Sequence, residues 1–215
     1  MTSIIAIILL SYLAGSFPTS IIVSRLFKGI DIRDHGSGNA GATNVYRIVG
    51  WQAALIVVIV DIGKGTLATV LISSLQLSAM PDISHSFFQI MAGVSAILGH
   101  SYPIFAGFRG GKGVATGAGM IMGLYPLIFL ICLGVFILIV ISTGTVSLAS
   151  MLAAVTLPVA VFFLNGTSDL PLFIFSLIIP IFIIYTHREN VGRLIRGEEK
   201  VLHSLKVFGK KPKDK

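Results

Sequence analysis

Residues 113–168 contain no charged side chain. A helix needs about 20 apolar residues to cross a bilayer, so one crossing would leave most of this stretch unused. Three crossings fit if the chain breaks near "GLYP" (123–126) and "STGT" (142–145). The first piece is then short, tilted or only partly spanning. The rest of the chain has the same character: of 215 residues, 54% are hydrophobic and 12% charged, against about a quarter charged in soluble domains. The expected class is an all-α, polytopic integral membrane protein.

Charge placement sets the orientation. All of the 16 Lys and Arg except Lys64 fall in three segments, 25–47, 109–112 and 188–215. The polar connections 76–86 and 165–171 contain none. By the positive-inside rule the three basic segments lie in the cytoplasm. Helix 1 (about 3–24) then runs inward, helix 2 (about 51–75) outward, helix 3 (about 86–106) inward and the last span (about 171–186) inward. An odd number of crossings between 113 and 165 follows. Seven transmembrane helices are expected, with five as the fallback, the N-terminus outside and the C-terminus cytoplasmic. Residues 1–200 read as a single transmembrane domain and 201–215 as a cytoplasmic basic tail. Residues 1–24 carry no charge, so the positive start of a cleavable signal peptide is missing and the stretch reads as the first span. Net charge of +7 suits anionic headgroups and is no sign of nucleic acid. Cys132, the one cysteine, lies in an apolar run and reads as packing.

Three polar clusters fall on the cytoplasmic side. "DIRDHGSGNAGATNVYR" (31–47) places Gly36, Gly38 and Gly41 among Ser37, Asn39, Thr43 and Asn44. Such a loop either exposes backbone N–H groups as an anion nest, closed by the Arg47 fork, or is a flexible turn-rich connection. Asp31, Arg33, Asp34 and His35 alone read as a solvated charged edge. "GHSYPIFAGFRGGKGVAT" (99–116) brackets Lys112 with Gly110, Gly111 and Gly113 at a helix start, where the dipole favours anions. The nucleotide P-loop pattern fails there, with Ala106 and Gly113 at two defining positions. His100 is a structural histidine or a ligand group. "THRENVGRLIRGEEK" (186–200) spaces His187, Asn190, Arg193 and Glu199 so that several share a helix face, or is an amphipathic exit helix. A fourth feature, "VDIGKG" (60–65), puts Asp61 and Lys64 one turn apart inside helix 2. Such a pair is a structural neutralisation or part of a substrate site. No metal-ligand set and no G-x-S-x-G elbow appears. The residues together point to a cytoplasm-facing pocket for phosphate-type anions beside the lipid.

"GSFPTS" (15–20), "DIRDHGSGNAGATNVYR", "DIGKG", "GHSYPIFAGFRGGKGVAT" and "HRENVGRLIRGEE" resemble, in order and spacing, the bacterial acyl-phosphate-dependent glycerol-3-phosphate acyltransferase (PlsY) family. The resemblance runs from the first helix to about residue 200. It implies a seven-helix inner-membrane enzyme with its active site facing the cytoplasm. The implied reaction moves an acyl group from acyl phosphate to the 1-hydroxyl of glycerol 3-phosphate, giving lysophosphatidic acid and phosphate, the first step of phospholipid synthesis. It assigns Arg47, Lys112, His187 and Asn190 to catalysis or substrate binding. Phosphate binding falls to Ser37, Gly38, Asn39, Gly41, Ala42, Thr43 and Asn44, with Gly111 and Gly113 beside Lys112, and His100 and Arg193 at further motif positions. Where the family pattern has G-T-E, this chain has Gly197-Glu198-Glu199.

The implied partners are the two substrates and membrane lipid, without nucleic acid; no cofactor or metal is expected, and the protein is expected to be a monomer. The H-x-x-x-x-D signature of acyl-CoA enzymes is absent, since Phe105 and Gly192 stand five residues after His100 and His187. The alternative function is a membrane transporter for phosphorylated metabolites.

Overall fold

The computed structural model describes residues 2–75, 84–202 and 204. Among them every regular element is helical. Two compact units are distinguished, Met1–Pro126 and Leu127–Lys215.

The first unit holds α1 (Thr2–Gly15), α2 (Thr19–Lys28), α3 (Ala42–Ile48), α4 (Trp51–Val70), α5 (His85–Ser101) and α6 (Val114–Leu124). The expected continuous helix over 3–24 is broken at Ser16–Pro18. Pro18 has no N–H and disfavours helical geometry at Phe17, so the chain leaves the helix and restarts at Thr19. The break frees the Phe17 carbonyl, which the site described below uses. Helix 2 ends as α4 at Val70 followed by a 3-10 turn, Ile72–Ser74; helix 3 ends as α5 at Ser101, before Pro103. The connection expected at 76–86 lies outside the described residues over 76–83.

Glycines bring the helices of this unit into close contact. A Cβ on Gly65 would strike the Thr116 carbonyl, and one on Gly119 would strike the Ile62 carbonyl. The backbones of α4 and α6 therefore touch at two facing positions. Val57, Ala68, Ala92, Ala96, Ile97 and Met120 are buried in this unit.

The second unit holds α7 (Pro126–Thr143, its first residue at the unit boundary), α8 (Val146–Asn165), α9 (Leu170–Thr186) and α10 (Arg188–Ile195). The uncharged stretch is cut into three helices, with breaks at Tyr125 and Gly144–Thr145, inside both expected windows. α6 has 11 residues, about 16 Å at ~1.5 Å per residue, roughly half a hydrocarbon core. Pro158 and Pro180 lie inside α8 and α9. α9 and α10 meet at a 66° bend at His187.

Among the described residues four helical stretches are long and apolar enough to cross a membrane: Thr2–Lys28, Trp51–Ser74, Pro126–Thr143 and Val146–Asn165. A fifth is added if Leu170–Thr186 and Arg188–Ile195 form one broken span. Exposed Leu, Ile and Phe side chains such as Leu130, Phe163 and Ile181 are what a lipid-facing helix presents.

Candidate active site

In the first unit the loop at 31–44 is shaped by its own side chains. Asp31 accepts from the Arg33 backbone N–H at 3.1 Å and from both sides of the Arg33 fork, at 3.0 and 2.8 Å. The hydrogen bonds from the Arg33 side chain hold the Asp31 carboxyl well below the usual carboxylate range. The remaining face of the guanidinium donates to the Ala106 carbonyl at 2.8 Å. Asp31 and Arg33 are therefore a strap joining the loop to the segment after α5. Asp34 and His35 are exposed.

Asn44, 2% exposed, is the centre of the loop. Its Oδ1 accepts the Ser37 N–H at 2.9 Å, and its amide nitrogen donates to the carbonyls of Ile32, His35 and Asn39 at 3.1, 2.9 and 3.1 Å. Gly36 and Gly38 take left-handed φ values of 67° and 70°, which glycine adopts without strain. Ser37 and Gly38 stay exposed, while Asn39, Gly41, Ala42 and Thr43 are half-buried. Arg47 follows one turn later on α3, also half-buried.

The second glycine segment folds back on the end of α5. Gly110 N–H donates to the Ser101 carbonyl at 3.2 Å and Gly111 N–H to the His100 carbonyl at 3.1 Å. Lys112 follows, half-buried, and Gly113 caps α6 with φ 84°. A Cβ on Gly111 would strike His100 Nε2, so this glycine is required by the imidazole packed against it.

Between these loops lies a polar knot that the sequence announced only in part. Lys64 Nζ contacts Asp61 Oδ1 at 2.8 Å, the Phe17 carbonyl at 3.1 Å and His100 Nδ1 at 3.3 Å. Thr19 Oγ1 donates to Asp61 Oδ1 at 3.0 Å. Asp61 and Lys64 are 2% and 6% exposed. The i,i+3 spacing of Asp61 and Lys64 was legible. The Phe17 carbonyl and Thr19 were missed, and Pro18 within an apolar run was the signal for them. Beside the knot a small, partly open pocket is lined by Thr19, Asp61, Lys64, His100, Arg109 and Gly111, among others. Ser20 joins its wall to the first loop by donating to the Ala40 carbonyl at 2.8 Å.

In the second unit His187 sits at the bend between α9 and α10, 4% exposed. Its Nδ1 lies 2.8 Å from the Ile183 carbonyl. A carbonyl only accepts, so Nδ1 carries a proton and donates to it. Glu199 Oε1 accepts from Asn190 Nδ2 at 2.6 Å and Ser147 Oγ at 2.8 Å, while Oε2 takes Arg193 Nε at 2.8 Å. Burial pushes the Glu199 carboxyl upward, but these three hydrogen bonds and the Arg193 charge outweigh it and leave it below its ordinary value. His187, Asn190, Arg193 and Glu199 are thus gathered at one end of this unit.

A family model described as glycerol-3-phosphate acyltransferase matches residues 5–197. The chain belongs to the glycerol-3-phosphate acyltransferase family. Family members from Chlorobium phaeobacteroides (strain BS1) and Chlorobaculum tepidum are 44% and 42% identical to it. The matches cover 93% and 98% of this chain and 96% and 100% of theirs. Among solved structures it resembles PlsY (YgiH), an integral membrane glycerol 3-phosphate acyltransferase. The glycerol 3-phosphate form matches with a TM-score of 0.83 at 33% identity, over 93% of this chain and 96% of that one. The lysophosphatidic acid form matches with a TM-score of 0.82 at 32% identity, over 95% and 98%. This acyltransferase-family chain is a multi-pass membrane protein.

Proposed function

We propose that this chain transfers a fatty acyl group from acyl phosphate to the 1-hydroxyl of glycerol 3-phosphate, giving lysophosphatidic acid and inorganic phosphate. The observation that carries the reading is the loop pair of the first unit. Two glycine-shaped segments, one ending near Arg47 and the other at Lys112, are tied together through Arg33 and Ala106. Phosphoryl groups suit glycine-shaped turns flanked by cationic side chains.

Both substrates are anions, and the donor is already activated, so no acyl-enzyme is needed. The enzyme's task is to hold the two together and orient one hydroxyl. The hydroxyl oxygen bonds to the acyl carbon, the bond from that carbon to the phosphate oxygen breaks, and phosphate departs. Arg47 and Lys112 offset the charge that builds on the tetrahedral centre and the leaving phosphate. The hydroxyl proton passes to the phosphate of glycerol 3-phosphate itself, with His187 as the competing acceptor. Ser37, Asn39, Gly41, Ala42, Thr43 and Gly113 serve phosphate binding, together with His100 and Arg193, while Asn190 belongs with the catalytic residues Arg47, Lys112 and His187. Gly38 and Gly111, whose N–H groups donate to the His35 and His100 carbonyls, serve phosphate binding by shaping the two turns. Asn44 serves it by shaping the loop.

The setting that goes with this reading is the bacterial inner membrane, with seven crossings, the N-terminus outside and the basic loops and tail in the cytoplasm. Residues 1–200 act as one catalytic domain, as a monomer. The test is purified protein with palmitoyl phosphate and labelled glycerol 3-phosphate, with a chelator present. Labelled lysophosphatidic acid is expected. No turnover, combined with uptake of glycerol 3-phosphate into proteoliposomes, would replace this reading with a transporter.

A further inference from the structure

Lys64 is an ammonium group buried inside a helix, and the acyl-transfer chemistry above makes no use of it. It has three N–H groups and no lone pair. Three acceptors surround it: Asp61 Oδ1, the Phe17 carbonyl and His100 Nδ1, at 2.8, 3.1 and 3.3 Å. Because the ammonium only donates, His100 Nδ1 must accept. The other candidate partner of Nδ1, the Asp61 carboxylate, is 3.8 Å away, beyond hydrogen-bond reach. The Asp61 oxygen is already engaged by Lys64 and Thr19. A neutral imidazole whose Nδ1 accepts carries its proton on Nε2. That edge of the ring faces Gly111, where a Cβ would collide with Nε2, in the wall of the pocket that also contains Arg109 and Gly110.

We propose that Lys64 is a positioning residue that fixes His100 in the Nε2–H tautomer, so that the ring presents one donor at the glycine turn to a phosphoryl oxygen of the substrate. Asp61 pairs with Lys64 at 2.8 Å, and the proline break supplies the third acceptor through the Phe17 carbonyl. The phosphoryl part of this inference rests on the acyltransferase reading; the tautomer part rests on the geometry alone.

The test uses the full chain in detergent micelles with 15N-labelled histidine. Long-range proton–nitrogen spectra distinguish pyridine-like from pyrrole-like ring nitrogens, and His100→Gln identifies the His100 signals. The wild type is expected to show a pyridine-like Nδ1 and a pyrrole-like Nε2. Lys64→Met is expected to give an averaged or reversed pattern. It is also expected to raise the KM for glycerol 3-phosphate about tenfold or more, as losing a charge-assisted hydrogen bond would, with a smaller change in kcat per folded enzyme. A purely structural lysine would lower the folded fraction and leave KM unchanged.

A pyrrole-like Nδ1 in the wild type overturns the proposal, as does a Lys64→Met protein that keeps the tautomer or the KM. If Lys64→Met does not fold, Asp61→Asn/Lys64→Met removes both buried charges and is read by the same two criteria. Absence of acyl transfer by the wild type would refute the acyltransferase reading, and the phosphoryl role with it. The ring spectrum would still decide whether Lys64 sets the tautomer.

Discussion

Asn190 donates to Glu199 at 2.6 Å, across the turn that follows α10. The same carboxylate takes Ser147 from the start of α8 and Arg193 from α10. A single buried anion thus sets the orientation of two of the residues proposed to meet substrate. Glu198, one position earlier, pairs with exposed Arg196 at 2.7 Å, so the departure from the family's G-T-E falls on the surface while Glu199 keeps the structural position.

Glu199→Ala leaves three donors without their acceptor and is expected to destabilise the protein by about 3 kcal/mol. Glu199→Gln keeps an acceptor for Asn190 and loses the charge facing Arg193, costing about 1 kcal/mol. Thermal melting of the purified variants in detergent checks the order; equal melting temperatures for Glu199→Ala and wild type would contradict it.

The carboxyls of Asp31 and Glu199 are both held below their ordinary values. The unfolded chain therefore binds more protons than the native one once the pH drops into the carboxylate range. Their stabilisation is complete above about pH 5 and is lost as the pH falls toward the depressed native values. Melting temperature should fall between about pH 5 and pH 3, and less steeply in Asp31→Asn. A flat or rising profile would contradict this.

Asn44→Ala removes the acceptor of Ser37 N–H and the donor to three carbonyls. The loop should lose hydrogen-exchange protection at Ser37, and activity should fall about 100-fold through lost positioning. Unchanged protection with reduced activity would mean that Asn44 acts on substrate instead of on the loop.

Gly111→Ala drives a methyl group into His100 Nε2, so either the turn or the imidazole must move. Its KM for glycerol 3-phosphate is expected to rise about tenfold or more at near-normal folding. Gly119→Ala, whose Cβ meets the Ile62 carbonyl, separates α4 from α6 and should mainly lower the melting temperature. Swapped outcomes would mean that the glycine turn is scaffold and not site.

Arg47→Ala and Lys112→Ala are each expected to lose about 100-fold or more in activity, the scale of removing a fixed charge from a developing anion. Both should still insert into membranes at wild-type levels. Near-wild-type rates would refute their assignment.

Much of the architecture was legible because proline and glycine punctuate an otherwise uniform chain. Tyr125-Pro126 and Gly144-Thr145 mark breaks that periodicity could not, since α7 is apolar on every face. The same logic applied to Pro18, but the length of the apolar run around it read as one span. With that break went the Phe17 carbonyl, the acceptor that explains how Lys64 is tolerated at depth. Asn44 looked like a donor for ligand because composition counts polar atoms and cannot see them spent within the loop. Arg33 looked solvated because its partner, the Ala106 carbonyl, is remote in sequence. Glu199 was visible by helical spacing from Asn190 and Arg193, while Ser147 lay too far away in sequence to be associated with it.

The acyl donor of this enzyme is identified by a donor comparison with the purified protein. Palmitoyl phosphate, palmitoyl-CoA and palmitoyl-carrier protein are each offered with glycerol 3-phosphate, and lysophosphatidic acid and inorganic phosphate are measured together. Product is expected from palmitoyl phosphate alone, with one phosphate released for each lysophosphatidic acid formed. Equal or faster product formation from a thioester donor, or phosphate release without lysophosphatidic acid, would contradict this expectation.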